Sequence, residues 1–82
     1  MSNQNQKIDY FLEDGQYLFS SYGVPPLEEQ EIVVETCDRN IHVFIVKSVH
    51  LNVVLNLNSD LTNQIYQVKL HARNFNSKSF IK

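Results

Sequence analysis

The chain has 82 residues, of which 43% are hydrophobic and 20% are charged, a composition that is ordinary for one globular domain and argues against intrinsic disorder. No apolar run approaches the ~18 residues of a membrane-spanning helix, and the polar N-terminus lacks the basic and apolar regions of a secretory signal. Cys37 is the single cysteine, so an internal disulfide is excluded and a reducing cytoplasm is the expected location.

The charges are divided unevenly along the chain. Residues 1–38 contain eight acidic residues and one lysine, whereas residues 39–82 contain six basic residues and one aspartate. This division predicts either a dipolar surface or two halves that pack together and neutralise each other, and the sequence alone leaves both alternatives open.

The N-terminal residues 1–6 are predicted to be disordered, and residues 7–82 to form a single α+β domain. Apolar residues in 8–22 recur at helical spacing, which predicts an amphipathic helix. Gly23 with Pro25 and Pro26 would end it. Because Asp14-Gly15 also suits a tight turn, a β-hairpin over the same residues is the alternative. The residues with helical spacing are Ile8, Phe11, Leu12, Gly15, Leu18, Phe19 and Tyr22.

Four strand candidates follow, at 31–37, 41–47, 50–58 and 63–73. The first two flank a turn sequence, Asp38-Arg39-Asn40, and Ser48-Val49-His50 is predicted to connect the second to the third. Pairing Ile45 with Val53, and Leu55 with Tyr66, collects the apolar residues of three strands on one face. Short connections favour antiparallel neighbours. We therefore expect a four-stranded meander, with a fifth short strand if the tail containing Phe75, Phe80 and Ile81 joins it.

These elements predict a two-layer fold in which the N-terminal helix packs on the antiparallel sheet. A small SH3-like or Sm-like β-barrel with an N-terminal helix is the alternative. Strongly bent small barrels use glycine kinks or bulges at their corners, and no glycine follows Gly23. The sequence therefore favours an open, twisted sheet.

The second face of this predicted sheet has an apolar centre bordered by amides and cations. Asn52 and Asn56, in the stretch HLNVVLNLN at 50–58, lie on this border. An apolar centre with a polar rim is typical of protein interfaces. Cover by the tail and homodimer formation are the structural alternatives. The predicted binding residues are Phe44, Val46, Val54, Ile65, Lys69, His71 and Arg73.

No arrangement of side chains indicates catalysis. Cys37 and His42 flank the first turn without an identifiable orienting group, the three histidines lack the spacing of a metal site, and two glycines are too few for a phosphate-binding loop. We therefore expect no enzyme activity, no metal and no cofactor.

The predicted function is that of a small protein-binding module, an inhibitor or accessory subunit of the size encoded by phages and mobile elements. It would use the second sheet face or an edge strand. The expected partner is another protein or a second copy of the chain, and not a membrane. The alternative is binding of single-stranded RNA through the basic C-terminal strand with Lys69, His71 and Arg73.

Overall fold

The computed structural model describes residues 6–55, 57–58 and 62–75. They form one mixed sheet in the order β2-β1-β5-β4-β3, which curls into a half-barrel. Both predicted folds are wrong, because each begins with a helix and the described residues contain none. The five strands are β1 (Gln6–Leu12), β2 (Tyr17–Gly23), β3 (Glu31–Glu35), β4 (Ile41–Leu55) and β5 (Thr62–Asn74).

The residues predicted to form the helix instead form an antiparallel hairpin of β1 and β2. Its turn is closed by a hydrogen bond of 2.9 Å from the Gly15 N–H to the Leu12 carbonyl, and Gly15 has a φ of +96°. The helical spacing was misleading because Ile8, Tyr10 and Leu12 also alternate with a period of two. Aromatic and β-branched side chains, which are frequent here, favour strands.

The conformation of Gly15 makes the first turn sensitive to a side chain at this position. We expect Gly15→Ala to lower the free energy of unfolding by about 1–2 kcal/mol, because a φ of +96° is strained for any residue with a Cβ. Urea denaturation followed by circular dichroism measures the change. Gln16→Ala in the same turn is the control and should change stability by less than about 0.5 kcal/mol. Equal losses in both variants would contradict this explanation.

The predicted hairpin between β3 and the first half of β4 is confirmed. Glu31–Glu35 pairs antiparallel with Ile41–Ile45, and β3 ends at Glu35 instead of the predicted Cys37. The Arg39 N–H donates to the Thr36 carbonyl at 2.8 Å. The antiparallel pairing of β4 with β5 is also as expected.

The predicted strands 41–47 and 50–58 are not separate, because β4 continues through the predicted connection for 15 residues. Residues of one strand cannot pair with each other, so the predicted pair of Ile45 with Val53 is wrong. The predicted partner of Tyr66 is wrong as well, since Tyr66 lies opposite Leu51. The long ladder of β4 with β5 gives the molecule an elongated shape of 44 × 24 × 23 Å.

A β-bulge at Lys47 determines which side chains share a face of β4. Val46 lies opposite Leu70 and Ser48 lies opposite Lys69, so Lys47 is an extra residue without an opposite partner. An extra residue reverses the alternation of side chains. The even-numbered Phe44 and Val46 therefore share the inner face with the odd-numbered residues from Val49 onward. The predicted face that joined Ile41, Val43 and Ile45 to Leu51, Val53, Leu55 and Leu57 does not form.

The core lies on the inner face of the curled sheet. The Tyr10 ring stacks on Phe19 with 4.5 Å between centroids, and partly buried side chains of all five strands pack around the centre. A core of this size stabilises a small domain only modestly. Its buried hydrophobic residues are Ile8, Tyr10, Phe44, Val46, Val68 and Leu70.

Three expectations concern residues outside the described ranges in whole or in part. They are the disorder of residues 1–6, of which Gln6 is described and begins β1, the strand at 50–58, of which β4 includes 50–55 and residue 56 is not described, and the tail with Phe80 and Ile81.

Candidate protein-binding site

The predicted binding residues do not share one surface. Phe44 and Val46 are both 0% exposed and belong to the core. The Phe44 ring lies 5.5 Å from the Phe75 ring, measured between centroids. A partner could reach either residue only if the core opened, so both drop out of the candidate surface.

The three predicted cationic residues form a row of exposed side chains on the outer face of β5. His71 Nδ1 lies 2.9 Å from a Glu13 carboxylate oxygen, and the Arg73 guanidinium lies 3.6 Å from the Glu31 carboxylate. Within the described residues, Lys69 has no acidic partner. A short row in which one of the two formal cations is already paired with a carboxylate attracts phosphates weakly, which disfavours the RNA-binding alternative.

Val54 and Ile65 lie near the far end of the ladder between β4 and β5. Val54 is opposite Asn63 and Ile65 is opposite Asn52, which places all four on the outer face. Val54 is exposed and Ile65 is half-buried. Asn52, whose role was uncertain from the sequence, therefore lies on the solvent side of a strand whose other face is apolar.

The second half of β4 has an unpaired edge. The first half pairs with β3 as far as Ile45, and the Val46 backbone bonds to Glu29 and Gln30 at 2.8 and 2.9 Å. Beyond the bulge at Lys47, the described residues provide no neighbour on this side. We call Ser48–Leu55 the open edge. It presents a row of backbone N–H and C=O groups that a strand of another chain could pair with.

Exposed apolar side chains lie along the open edge. Leu51, Val53 and Leu55 are 46%, 43% and 64% exposed, and they continue the inner face beyond the core. The predicted registers assigned these three residues to a covered core, so they were absent from the predicted binding residues. The surface that the structure exposes is the one that the sequence interpretation had buried.

The open edge also lacks the features that usually protect exposed strands. Natural edge strands are guarded by lysines, prolines or inward-pointing charges. From Ser48 to Val68 the sequence has one formally charged residue, Asp60, and no proline. This interval of low charge is the sequence signal that could have identified the site.

The connection between β2 and β3, the two outermost strands, forms part of a second apolar surface. It is an open groove with a volume of about 600 Å³, and it includes the exposed side chains of Val24 and Leu27. The groove has no charged side chain in its lining, so it is a second candidate contact surface. Its lining residues are Tyr10, Val24, Pro25, Pro26, Leu27, Gln30 and Ile32.

The turn between β3 and β4 contains the exposed thiol of Cys37. The Thr36 hydroxyl donates a hydrogen bond to Asp38 and, with a smaller contribution from Asn40, lowers the pKa of that carboxyl below its usual value. These contacts are local and stabilise the turn. They form no arrangement that would activate the thiol.

His42, the other candidate for cysteine chemistry, is 1% exposed. Its ring packs edge-on against Phe75 at 5.6 Å between centroids. Among the described residues there is no group of three or more side chains that could hold a metal ion.

Comparison of the chain with protein-family models, curated proteins and solved structures finds no match. No helix in the described ranges is long and apolar enough to cross a membrane.

Proposed function

We propose that this chain is a non-enzymatic protein-binding module that pairs the open edge of β4 with an extended strand of a partner. The observation that carries the proposal is an uncharged strand edge of eight residues, Ser48–Leu55, with no neighbour among the described residues. Such a module would act as an inhibitor or an accessory subunit. We place it in the cytoplasm, where the exposed Cys37 would stay reduced.

In strand addition, the backbone and the side chains make different contributions to binding. Main-chain hydrogen bonds supply affinity, and contacts to alternate side chains supply specificity. At the open edge the alternate side chains on the inner face are Leu51, Val53 and Leu55. The preferred partner strand is therefore apolar on that face, and its other face meets the amide of Asn52.

A strand-forming peptide tests this proposal without knowledge of the natural partner. The probe is a capped nine-residue peptide of alternating threonine and valine, added at up to about 1 mM to the ¹⁵N-labelled chain. We expect amide chemical-shift changes confined to Ser48–Leu55 and the β5 residues opposite, with slowed amide exchange along the open edge.

A matched pair of lysine substitutions provides the control. Val53→Lys places a charge on the open edge and should weaken peptide binding at least about tenfold, because an edge lysine opposes strand pairing. Val33→Lys makes the same change at an exposed valine of β3 and should leave binding unchanged. Shift changes at Val24 and Leu27 would identify the groove as the binding site. Absence of any change would overturn the proposal.

A further inference from the structure

We infer that the open edge pairs with the open edge of a second copy of this chain, antiparallel about a two-fold axis at Val53. The inference rests on the proposed strand addition and specifies the partner. A two-fold axis perpendicular to the sheet keeps the inner faces of both copies on the same side. The two half-barrels would then share one continuous sheet.

On the inner face, the side chains of Leu51, Val53 and Leu55 are symmetric about Val53. In this register, Leu51 of one copy lies opposite Leu55 of the second copy, and Val53 lies opposite itself. On the outer face, Asn52 lies opposite Val54. Cross-strand apolar pairs of this kind stabilise antiparallel strands. A shift by one residue would instead place Leu51 of one copy opposite Val54 of the second copy, so that an inner-face side chain would share a face with an outer-face side chain.

The charge distribution favours a copy of the same edge as the occupant. Like charges directly opposite each other destabilise a strand pair, and a two-fold axis places a charge that lies close to the axis opposite its own equivalent. The open edge can pair with itself because Ser48–Leu55 contains no acid, lysine or arginine. It also has no charge with which to attract a charged strand of another protein.

The size of the contact sets the expected strength of the dimer. In this register residues 51–55 of each copy are paired over about 17 Å, and such a ribbon buries less surface than the ~1,200 Å² of a standard stable interface. We therefore expect dissociation in the micromolar range. The axis closes the assembly at two copies, since residues 51–55 of each copy are occupied by the same residues of the other.

Complementary charges at position 53 test both the dimer and its register. We expect sedimentation equilibrium to detect a dimer of the wild-type chain whose dissociation constant changes less than about threefold between low and 0.5 M salt. Val53→Lys and Val53→Glu should each weaken it at least about tenfold, because the introduced charge faces itself across the axis. An equimolar mixture of the two should form a dimer again, within about threefold of wild type.

The matched control is the pair Val33→Lys and Val33→Glu, which should leave the dimer unchanged. A dimer weakened by the Val33 variants would locate the interface at β3 and overturn the inference. Failure of the mixture to dimerise would overturn pairing at Val53. A wild-type chain that stays monomeric to about 500 µM overturns self-association. In that case the threonine–valine peptide decides the rest: peptide binding at the open edge leaves the proposed function standing, and its absence removes both.

Discussion

The Phe44→Asp variant is expected to be unfolded at 25 °C. Phe44 is 0% exposed and sits at the centre of the inner face. Removing a buried aromatic ring costs about 3–5 kcal/mol, and burying an unpaired carboxylate adds several kcal/mol. A chain of 82 residues has a total stability of roughly 4–12 kcal/mol. The far-UV circular dichroism spectrum of the variant should therefore lack the signal of the native sheet.

Val54→Asp is the matched control for this experiment. Val54 lies in the same strand but is 51% exposed on the outer face, so its aspartate stays hydrated and the spectrum should remain native. A native spectrum for Phe44→Asp would contradict the described core. It would return Phe44 to the binding surface that the sequence pattern had indicated.

The parts of the fold that the sequence predicted correctly depend on neighbouring residues. The turn at Asp38-Arg39-Asn40 is encoded by residues that accept turn conformations, and the strands on either side pair directly. The antiparallel neighbourhood of β4 and β5 follows from a short connection in the same way. In these elements, the conformation that the local sequence favours is the one that the strand pairing of the folded chain requires.

The parts that failed depend on information outside any short window. The apolar residues of 8–22 fit a helix and a hairpin alike, and the choice is made by pairing with β5. β1 is parallel to β5, with Ile8 opposite Tyr66. No local sequence pattern predicts a strand partner so distant in the chain. If residues 8–22 formed a helix, the edge of β5 that pairs with β1 would be left unpaired.

The sequence interpretation missed the candidate site for a second reason, which is the alternation of side chains along β4. In a strand with regular alternation, apolar residues at even positions before Lys47 and at odd positions after it would lie on opposite faces. A single extra residue places them on the same face. The predicted pair of Ile45 with Val53 had assigned Phe44 to the surface, whereas in the continuous strand Phe44 and Leu51 lie on the same face.

Deleting Ile45 from β4 is expected to destabilise the fold far more than deleting Lys47. Without Ile45, Phe44 directly precedes Val46, so the strand must turn one of them outward or bring Lys47 inward. Either outcome should cost about 3–5 kcal/mol, which is comparable to the stability of the whole domain. Urea denaturation should show a transition at a much lower urea concentration than that of the wild-type chain.

Deletion of Lys47 should be tolerated. Val46 would then be followed by Ser48 in regular alternation, still opposite Leu70 and Lys69, and every inner side chain would keep its face. The variant loses the exposed ion pair of Lys47 with Glu29, at 3.4 Å, and some of the twist that a bulge provides. We expect a loss of about 1–2 kcal/mol. Equal losses for the two deletions would mean that Lys47 is not the extra residue. The inner face would then end at Val46, and Leu51, Val53 and Leu55 would not continue it toward a partner.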